Sequence, residues 1–530
     1  MAVATSGKTW PLLGNVIVNV SARGALILLT IVSTPVILHR LGTAAFGVYI
    51  LAITLGGLLA LLDFGLTPAL ITSLSHAWHQ QRRDESERLV GTALTLYLLI
   101  GAAGGLSFAA LVPWAVQDLL HVPAALQPSA RTALWLSTAG FTVNMWLAVF
   151  NAVPYALQRY DLVAARIVGL SLVTTAALIL YALAGGVLEG FVIINIGGTA
   201  LGLLIFYLIS RRLLPGVGFT PRLNGQAFRQ LGRFSIFKFA GTIGGIFTFR
   251  FDQFAVGAIL GVSAAGIYSI PANASQKLLS LLGELASPFF PRASTLRADP
   301  ARMRALFLIG ARLLILVAAP ILLLLFALAD PVLTYWIGGA QGTVVAHTSS
   351  AAFRWLLAAL LIQSLAVIPV IFCEALGKPE INNGFAVASA LIHIPLVLIL
   401  VPIFGITGAA LALFINSATQ TLAFVIYASR SLFHVTILEL VRRTVIRPLI
   451  AAALMAALAY LVGRPLIHNR VSLILVLVVF PLIYLAAAFP LSALTIEDLR
   501  YVLPLVERLP AWMPVRDRIV RLGRRPDVNV

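Results

Sequence analysis

The first residues of this chain that could do chemistry lie in an apolar segment near the N-terminus. Asn15, Asn19 and Arg23 are spaced at i, i+4 and i+8, so they share one face of a helix. A charge inside a membrane span costs about 2.5–3.5 kcal/mol on insertion scales. Two interpretations stay open for Arg23: it faces a cavity, or it joins helix–helix hydrogen bonds and extends to the cytoplasmic edge.

A second polar group lies in the segment that begins near residue 234. Lys238 is close to the start of this segment, from which its ammonium can extend to the cytoplasmic edge. Arg250 and Asp252 lie deeper, and at two residues apart they point to different faces of a helix. We therefore predict that Arg250 faces a pathway and that Asp252 pairs with a cation of a neighbouring helix.

The next segment carries a polar stripe along one helix face. Asn273, Lys277, Ser280 and Glu284 follow at spacings of four, three and four residues, a pattern that must face protein or water rather than lipid. Asp63 lies 221 residues before Glu284. This is close to the offset of 219 residues at which other parts of the chain repeat, as described below. The two carboxylates are either proton or cation sites or internal salt-bridge anchors.

The balance of these charges indicates the sign of a ligand. Four of the deep residues are cationic and three are acidic, and the acids have plausible partners while the first segment is purely cationic. A modestly positive interior suits a phosphate or pyrophosphate, which arginine binds through paired donors. Cys373 is the only cysteine of the chain. We therefore predict no cysteine-based metal site, no disulfide within the chain and no cofactor.

The elements that must position these residues are membrane-spanning helices. The chain has 530 residues, of which 60% are hydrophobic and 11% charged, and its mean hydropathy is +0.99. Apolar runs of about 20 residues recur from end to end. We predict an all-α membrane protein with about 14 transmembrane helices.

The distribution of Lys and Arg predicts the orientation. The net charge is +18, and most cations lie in loops on the side of the N-terminus, which the positive-inside rule places in the cytoplasm. With an even number of spans, both termini are cytoplasmic. Cations in short juxtamembrane loops are placed to bind anionic lipid headgroups rather than nucleic acid. Membrane lipids are therefore predicted partners. The opposite loops carry only Arg40, Arg131, Arg354, Arg464 and Arg470.

The chain repeats itself at an offset of 219 residues. Leu41-Gly42 and Phe46-Gly47-Val48-Tyr49 return as Leu260-Gly261 and Ala265-Gly266-Ile267-Tyr268, with Leu, Gly, Gly and Tyr in register. The same offset relates Ala156-Leu157 to Ala375-Leu376, Arg159 to Lys378 and Asp161 to Glu380. A duplication inside a membrane protein is typical of two lobes around a central pathway.

The duplication predicts the domain organisation. Two six-helix lobes are related by pseudo-two-fold symmetry about an axis along the membrane normal, because each contains an even number of spans. Two further helices stand outside the duplication, and an amphipathic basic tail lies on the cytoplasmic surface. The predicted ranges are 1–212 for the N-terminal lobe, 213–232 for a cytoplasmic connector, 233–430 for the C-terminal lobe, 431–490 for the last two spans and 491–530 for the tail.

Several short motifs resemble the polysaccharide-biosynthesis flippases, the Wzx-type O-antigen and exopolysaccharide translocases of the multidrug/oligosaccharidyl-lipid/polysaccharide exporter superfamily. The first repeat contributes Arg40-Leu41-Gly42, Phe46-Gly47-Val48-Tyr49 and Leu62-Asp63-Phe64-Gly65-Leu66. The second contributes Asp252, Val256-Gly257, Leu260-Gly261, Gly266-Ile267-Tyr268 and Ala272. The resemblance covers nearly the whole chain, and its motifs specify the family better than the substrate.

The resemblance implies a transporter of the bacterial inner membrane that is not an enzyme. It would move an undecaprenyl-pyrophosphate-linked oligosaccharide from the inner to the outer leaflet by alternating access through a cationic central cavity. A polysaccharide polymerase or export machinery is a further implied partner. The residues that would bind the substrate here are Arg23, Arg250, Lys277, Lys238, Asn15, Asn19 and Asn273, with Asp63, Asp252 and Glu284 as coupling or structural acids.

Two alternatives stay open. A cation-coupled multidrug antiporter of the same superfamily would use Asp63, Asp252 or Glu284 to bind Na⁺ or H⁺, although a purely cationic first helix fits this function less well. A polytopic glycosyltransferase or polymerase would need catalytic residues on large outer loops. The longest predicted outer loops, about 113–132 and 329–349, offer only Asp118, His121, Arg131, Asp330 and His347.

Overall fold

The computed structural model describes residues 12–488, apart from the side chains of residues 12–23, 25–26, 57–61, 233–249 and 488. Within this range the chain forms helices and no β-strands. The predicted tail, 491–530, lies outside the described residues. The α-helices of the first repeat are α1 (Leu12–Leu59), α2 (Leu66–His79), α3 (Arg83–Trp114), α4 (Gln127–Ala156), α5 (Tyr160–Leu183) and α6 (Leu188–Leu213).

The remaining helices form the second repeat and the segment that follows it. Four short π-helical segments interrupt the described helices, at Ala115–Leu119, Ser417–Thr421, Val441–Val445 and Ala459–Gly463. The α-helices are α7 (Gly225–Leu260), α8 (Val262–Ala286), α9 (Phe289–Thr295), α10 (Pro300–Ala327), α11 (Ala329–Ile337), α12 (Gly339–Ala375), α13 (Pro379–Phe404), α14 (Ile406–Asn416), α15 (Leu422–Ser431), α16 (Ile437–Leu440), α17 (Ile446–Leu458) and α18 (Arg470–Ala488).

Eleven helical segments of the described chain are long and apolar enough to cross a membrane. This number confirms a multi-pass membrane protein, while the count of 14 spans stays a prediction. The first two predicted spans are joined in α1, and α8 is not among the eleven. Most side chains of the span predicted at 234–259, in α7, lie outside the described residues. Charged and amide side chains such as Lys277 and Asn273 make α8 less apolar than the other spans.

The break within α1 and the junction of α7 with α8 have the same backbone conformation. Gly42 has φ 75° and ψ 169°, and Gly261, its equivalent in the second repeat, has φ 88° and ψ 170°. Only glycine adopts this region without strain, because a Cβ atom would clash with the backbone. Each repeat therefore turns its chain at the same place with the same residue.

The two copies of the repeated motif pack directly against each other. Gly47 on α1 and Gly266 on α8 are repeat equivalents, and a Cβ atom on Gly266 would lie 2.9 Å from the amide nitrogen of Gly47. A Cβ atom on Gly47 would overlap the carbonyl oxygen of Val262. Small residues allow membrane helices to approach this closely. The crossing of α1 and α8 is thus a close helix–helix contact between the two repeats.

The connector is shorter than predicted because α7 begins at Gly225. The side chain of Asn224 accepts hydrogen bonds from the amides of Gln226 and Ala227, at 3.0 Å each, and so caps the helix there. The connector is also packed against the first repeat: the amide of Arg222 donates to the carbonyl of Gly91 at 3.1 Å.

Candidate functional site

A cavity of about 390 Å³ lies between the two repeats and is lined mostly by α1 and α8. This volume is within the range of about 300–1,000 Å³ that small-ligand sites occupy. Helix α1 supplies one wall and α8 supplies the other, with Arg250 from α7 and Trp336 from α11. The polar residues of the lining are Thr30, Ser33, Thr34, Tyr49, Thr54, Arg250, Ser269, Asn273, Gln276, Lys277 and Ser280.

The described residues of the two walls of this central cavity differ in charge. Helices α7 and α8 contribute the cations Arg250 and Lys277 and the amide of Asn273, whereas α1 contributes hydroxyl groups such as Thr34 and Thr54. No Asp or Glu occurs among the described residues of the lining. The structure therefore brings together three of the predicted binding residues, in a setting that favours an anion.

A hydrogen-bonded chain joins the walls at one end. Thr54 Oγ1 donates to Gln253 Oε1 at 3.1 Å, and Gln253 Nε2 donates to Asn273 Oδ1 at 3.1 Å. Thr54 and Asn273 are repeat equivalents, and Gln253 is completely buried between them. Sequence reasoning missed Gln253, although the repeat offset between Thr54 and Asn273 was a signal that could have paired those two positions.

Among the described residues, the hydrogen-bond partners of Asp252 differ from the predicted cation of a neighbouring helix. The hydroxyl of Tyr268 donates to Asp252 Oδ2 at 2.5 Å, and the amide of Gln253 donates to Oδ1 at 2.7 Å. Asp252 is only 3% exposed, and it lies within the electrostatic influence of Arg250 on its own helix. Burial requires such donors, because an unpaired carboxylate there would be costly.

The other two acids lie away from the central cavity. Asp63, just before Phe64 and Gly65, accepts a 2.8 Å hydrogen bond from Thr67 Oγ1 and another from the hydroxyl of Tyr97. These bonds connect the segment between α1 and α2 to helix α3. Glu284 is on α8 but is not part of the lining, so the polar stripe reaches the cavity with Asn273, Lys277 and Ser280 only.

The side chains of four predicted binding residues, Asn15, Asn19, Arg23 and Lys238, lie outside the described residues. Their helices can be placed, since α1 runs from Leu12 and α7 contains Lys238. Ile27, one turn after Arg23, lines the central cavity. The role predicted for these four side chains stays a prediction.

Two contacts join α1 to α11 and α12 on the predicted outer side of the central cavity. Trp336 Nε1 donates to the carbonyl of Ile31 at 2.7 Å. That carbonyl is available because Pro35, four residues on, has no amide hydrogen to donate. A ring nitrogen of His39 lies 3.2 Å from the carbonyl oxygen of Gly338. These bonds link the first repeat to the second at the position where an outer opening would form.

Comparisons with known proteins agree with this architecture. A family model described as polysaccharide biosynthesis protein matches residues 37–345. The uncharacterized membrane protein EpsK of Bacillus subtilis (strain 168) is 24% identical over 364 residues, which is 67% of this chain and 70% of EpsK. A provisionally named O-antigen transporter of Shigella flexneri is 22% identical over 387 residues, 73% of this chain and 90% of that protein.

Solved structures with little sequence identity share the fold. The lipid II flippase MurJ in an inward closed conformation matches with a TM-score of 0.70 and 12% identity, over 89% of this chain and 98% of MurJ. An inward-facing multidrug resistance MATE family transporter of the MOP superfamily matches with a TM-score of 0.64 and 11% identity, over 78% of this chain and 97% of that one. The predicted all-α membrane fold is confirmed.

Proposed function

The chain belongs to the polysaccharide biosynthesis protein family, as the resemblance in its sequence predicted, and from this premise we propose that it flips a lipid-linked oligosaccharide. The substrate is an undecaprenyl-pyrophosphate-linked glycan, which moves from the inner to the outer leaflet of the bacterial cytoplasmic membrane. Both termini lie in the cytoplasm, and the polyprenyl chain stays in the bilayer during transport.

One observation carries the proposal. The cavity between the two repeats is lined by Arg250 and Lys277, and its described lining contains no carboxylate. A pyrophosphate would place its negative charges between these two cations and receive further hydrogen bonds from the Asn273 amide and the Ser280 hydroxyl. Charge-assisted hydrogen bonds are about twice as strong as neutral ones, so the cations provide most of the affinity.

The contacts around the central cavity support alternating access. The bonds from Trp336 to Ile31 and from His39 to Gly338 hold the predicted outer side together. They join carbonyl groups to single side chains, so rotation of one repeat relative to the other breaks them without unfolding a helix. The substrate thus enters while these bonds are intact and leaves when they are broken.

Substitution of the two cations tests the proposal. Arg250→Ala and Lys277→Ala should each reduce transport about 10- to 100-fold, because a hydrogen bond to a charged group contributes about 1.5–3 kcal/mol. The measurement is restoration of surface polysaccharide in cells that lack the gene, together with the amount of lipid-linked oligosaccharide left on the inner leaflet. Arg430→Ala, which removes an exposed cation from α15, is the control.

Full complementation by both cavity variants at normal protein levels would contradict the proposal. If the protein is instead a drug antiporter, we expect another pattern. Drug efflux would be lost in Asp252→Asn, and deletion of the gene would leave the amount of lipid-linked oligosaccharide on the inner leaflet unchanged.

A further inference from the structure

A second cavity, of about 510 Å³, lies at the ends of α2, α4 and α5 in the first repeat. We call it the peripheral groove and define it by Thr72, His76, His79, Gln80, Tyr155 and Tyr160. Arg82 and Arg159 lie in the adjoining loops, and Arg83 is the first residue of α3. Since these cations belong to the predicted cytoplasmic side, the peripheral groove opens toward the compartment in which the substrate is made.

No Asp, Glu, Lys or Arg is found in the lining of the peripheral groove, as far as the structure describes it. Hydroxyl, amide and imidazole groups surround it instead, and Gln80 Nε2 lies 3.0 Å from His76 Nε2. Such groups both donate and accept hydrogen bonds, as sugar hydroxyls do. Two of the nearby cations are paired with carboxylates, Arg159 with Asp161 at 2.8 Å and Arg82 with Glu85 at 3.3 Å, so the uncharged lining is the main surface offered to a ligand.

Two aromatic rings border the same groove. Tyr155 and Tyr160 pack edge to face, with their ring centroids 5.9 Å apart, and Tyr160 is 60% exposed. An exposed aromatic face with a polar tip provides a flat apolar surface beside hydrogen-bonding groups. This combination matches a sugar ring, which has an apolar C–H face and hydroxyl groups at its edge.

The corresponding place in the second repeat is occupied. Arg297, the repeat equivalent of Trp78, donates from Nε to the carbonyl of Ala375 at 2.7 Å. Ala375 is the equivalent of Ala156, which lines the peripheral groove. The backbone of the two loops is alike, because Gln158 has φ 55° and its equivalent Gly377 has φ 74°. Among the described residues, an arginine thus lies against this loop in the second repeat, where the equivalent loop of the first repeat borders the peripheral groove.

We propose that the peripheral groove binds the sugar moiety of the lipid-linked substrate on the cytoplasmic side. This inference rests on the proposed function. The aromatic pair packs against a sugar ring, and His76, His79 and Gln80 hydrogen-bond its hydroxyl groups. The groove thus selects for the glycan, whereas the central cavity binds the pyrophosphate that all substrates of this class share.

Binding of two probes to the purified full-length protein tests this division. The first probe is undecaprenyl pyrophosphate, which has no sugar. The second is the lipid-linked oligosaccharide extracted from source cells that lack the gene. Tyr160→Ala and Gln80→Ala should each weaken binding of the second probe about tenfold and leave the first unchanged. Arg250→Ala should weaken both.

Tyr427→Ala is the matched control, since Tyr427 is a 45% exposed tyrosine of the second repeat that packs against one aromatic ring, Phe385. It should change neither affinity. Equal loss of both probes in the Tyr160 and Gln80 variants, or no loss of the second probe, would overturn the groove assignment alone. If the wild-type protein binds neither probe, the proposed function fails and this inference fails with it.

Discussion

The two repeats of this transporter share a backbone and differ in chemistry. Gly42 and Gly261 turn the chain in the same conformation, and Tyr49 and Tyr268 are both buried. Yet both described cations of the central cavity come from the second repeat, while the first supplies hydroxyl groups to that cavity. The duplication therefore provides two matching walls, and the polar residues that differ between them provide the recognition.

The crossing of Gly47 and Gly266 allows a direct test of the contact between the two repeats. Gly47→Ala should have the largest effect of the changes considered, since its Cβ would overlap the backbone of Val262. Overpacking typically costs about 1–3 kcal/mol and occasionally more, and a clash with backbone atoms places this variant at the upper end of that range. The measurement is thermal unfolding of the detergent-solubilised protein, with yield as a second readout.

Gly56→Ala, on the same helix, is the control for this substitution, because no described atom outside the adjacent helical turns lies within 4 Å of the Cβ it would add. Alanine at position 56 should leave the melting temperature within a degree or two. A Gly47→Ala variant as stable as the wild type would show that the two repeats do not meet at this crossing.

The buried amide of Gln253 is the next point to test. Gln253→Leu removes the bridge between Thr54 and Asn273 and leaves both side chains short of a partner. We expect a loss of about 1–3 kcal/mol in the free energy of unfolding. Transport should fall as well, because this amide connects the two repeats beside the central cavity.

Gln363→Leu serves as the comparison variant, since Gln363 donates to Ser417 at 3.0 Å within the second repeat. It should lower stability by a similar amount and affect transport less. If the two variants lose transport equally at equal stability, the Gln253 bridge between the repeats affects transport only through the stability of the protein.

Much of the architecture could be predicted from the sequence, because the repeated motif consists of residues that few other residue types can replace. Gly42 and Gly47 recur at a fixed offset, and glycine is required where the backbone has positive φ or a helix approaches closely. Arg250 and Lys277 were also predictable as cavity residues, since a charge in an apolar segment must face protein or water.

The partners of these residues could not be predicted. The burial of Asp252 against Tyr268 depends on the rotation of α7 relative to α8, which spacing alone does not give. The bond from Trp336 to Ile31 joins residues 305 positions apart. The groove near Tyr160 depends on which side chain fills the space between two loops, and only the second repeat has Arg297 there.

The outer contact through Trp336 offers a smaller and more specific test. Trp336→Phe keeps an aromatic ring and removes the indole donor to Ile31, so stability should fall by only about 0.5–1.5 kcal/mol. The equilibrium between access states should shift, because this bond joins the repeats on one side only. Labelling of a cysteine placed at Thr34 by an outside reagent would report the shift; unchanged labelling would contradict it.

The smallest effect is expected at Arg297, which closes the second repeat's equivalent of the peripheral groove. Arg297→Ala removes one hydrogen bond from an exposed side chain to the Ala375 carbonyl, and we expect about 0.5 kcal/mol of destabilisation. Transport should be unchanged, because the glycan is bound in the first repeat. A marked loss of transport would mean that both repeats contact the substrate at their cytoplasmic ends, and that the difference between them is one of affinity rather than of role.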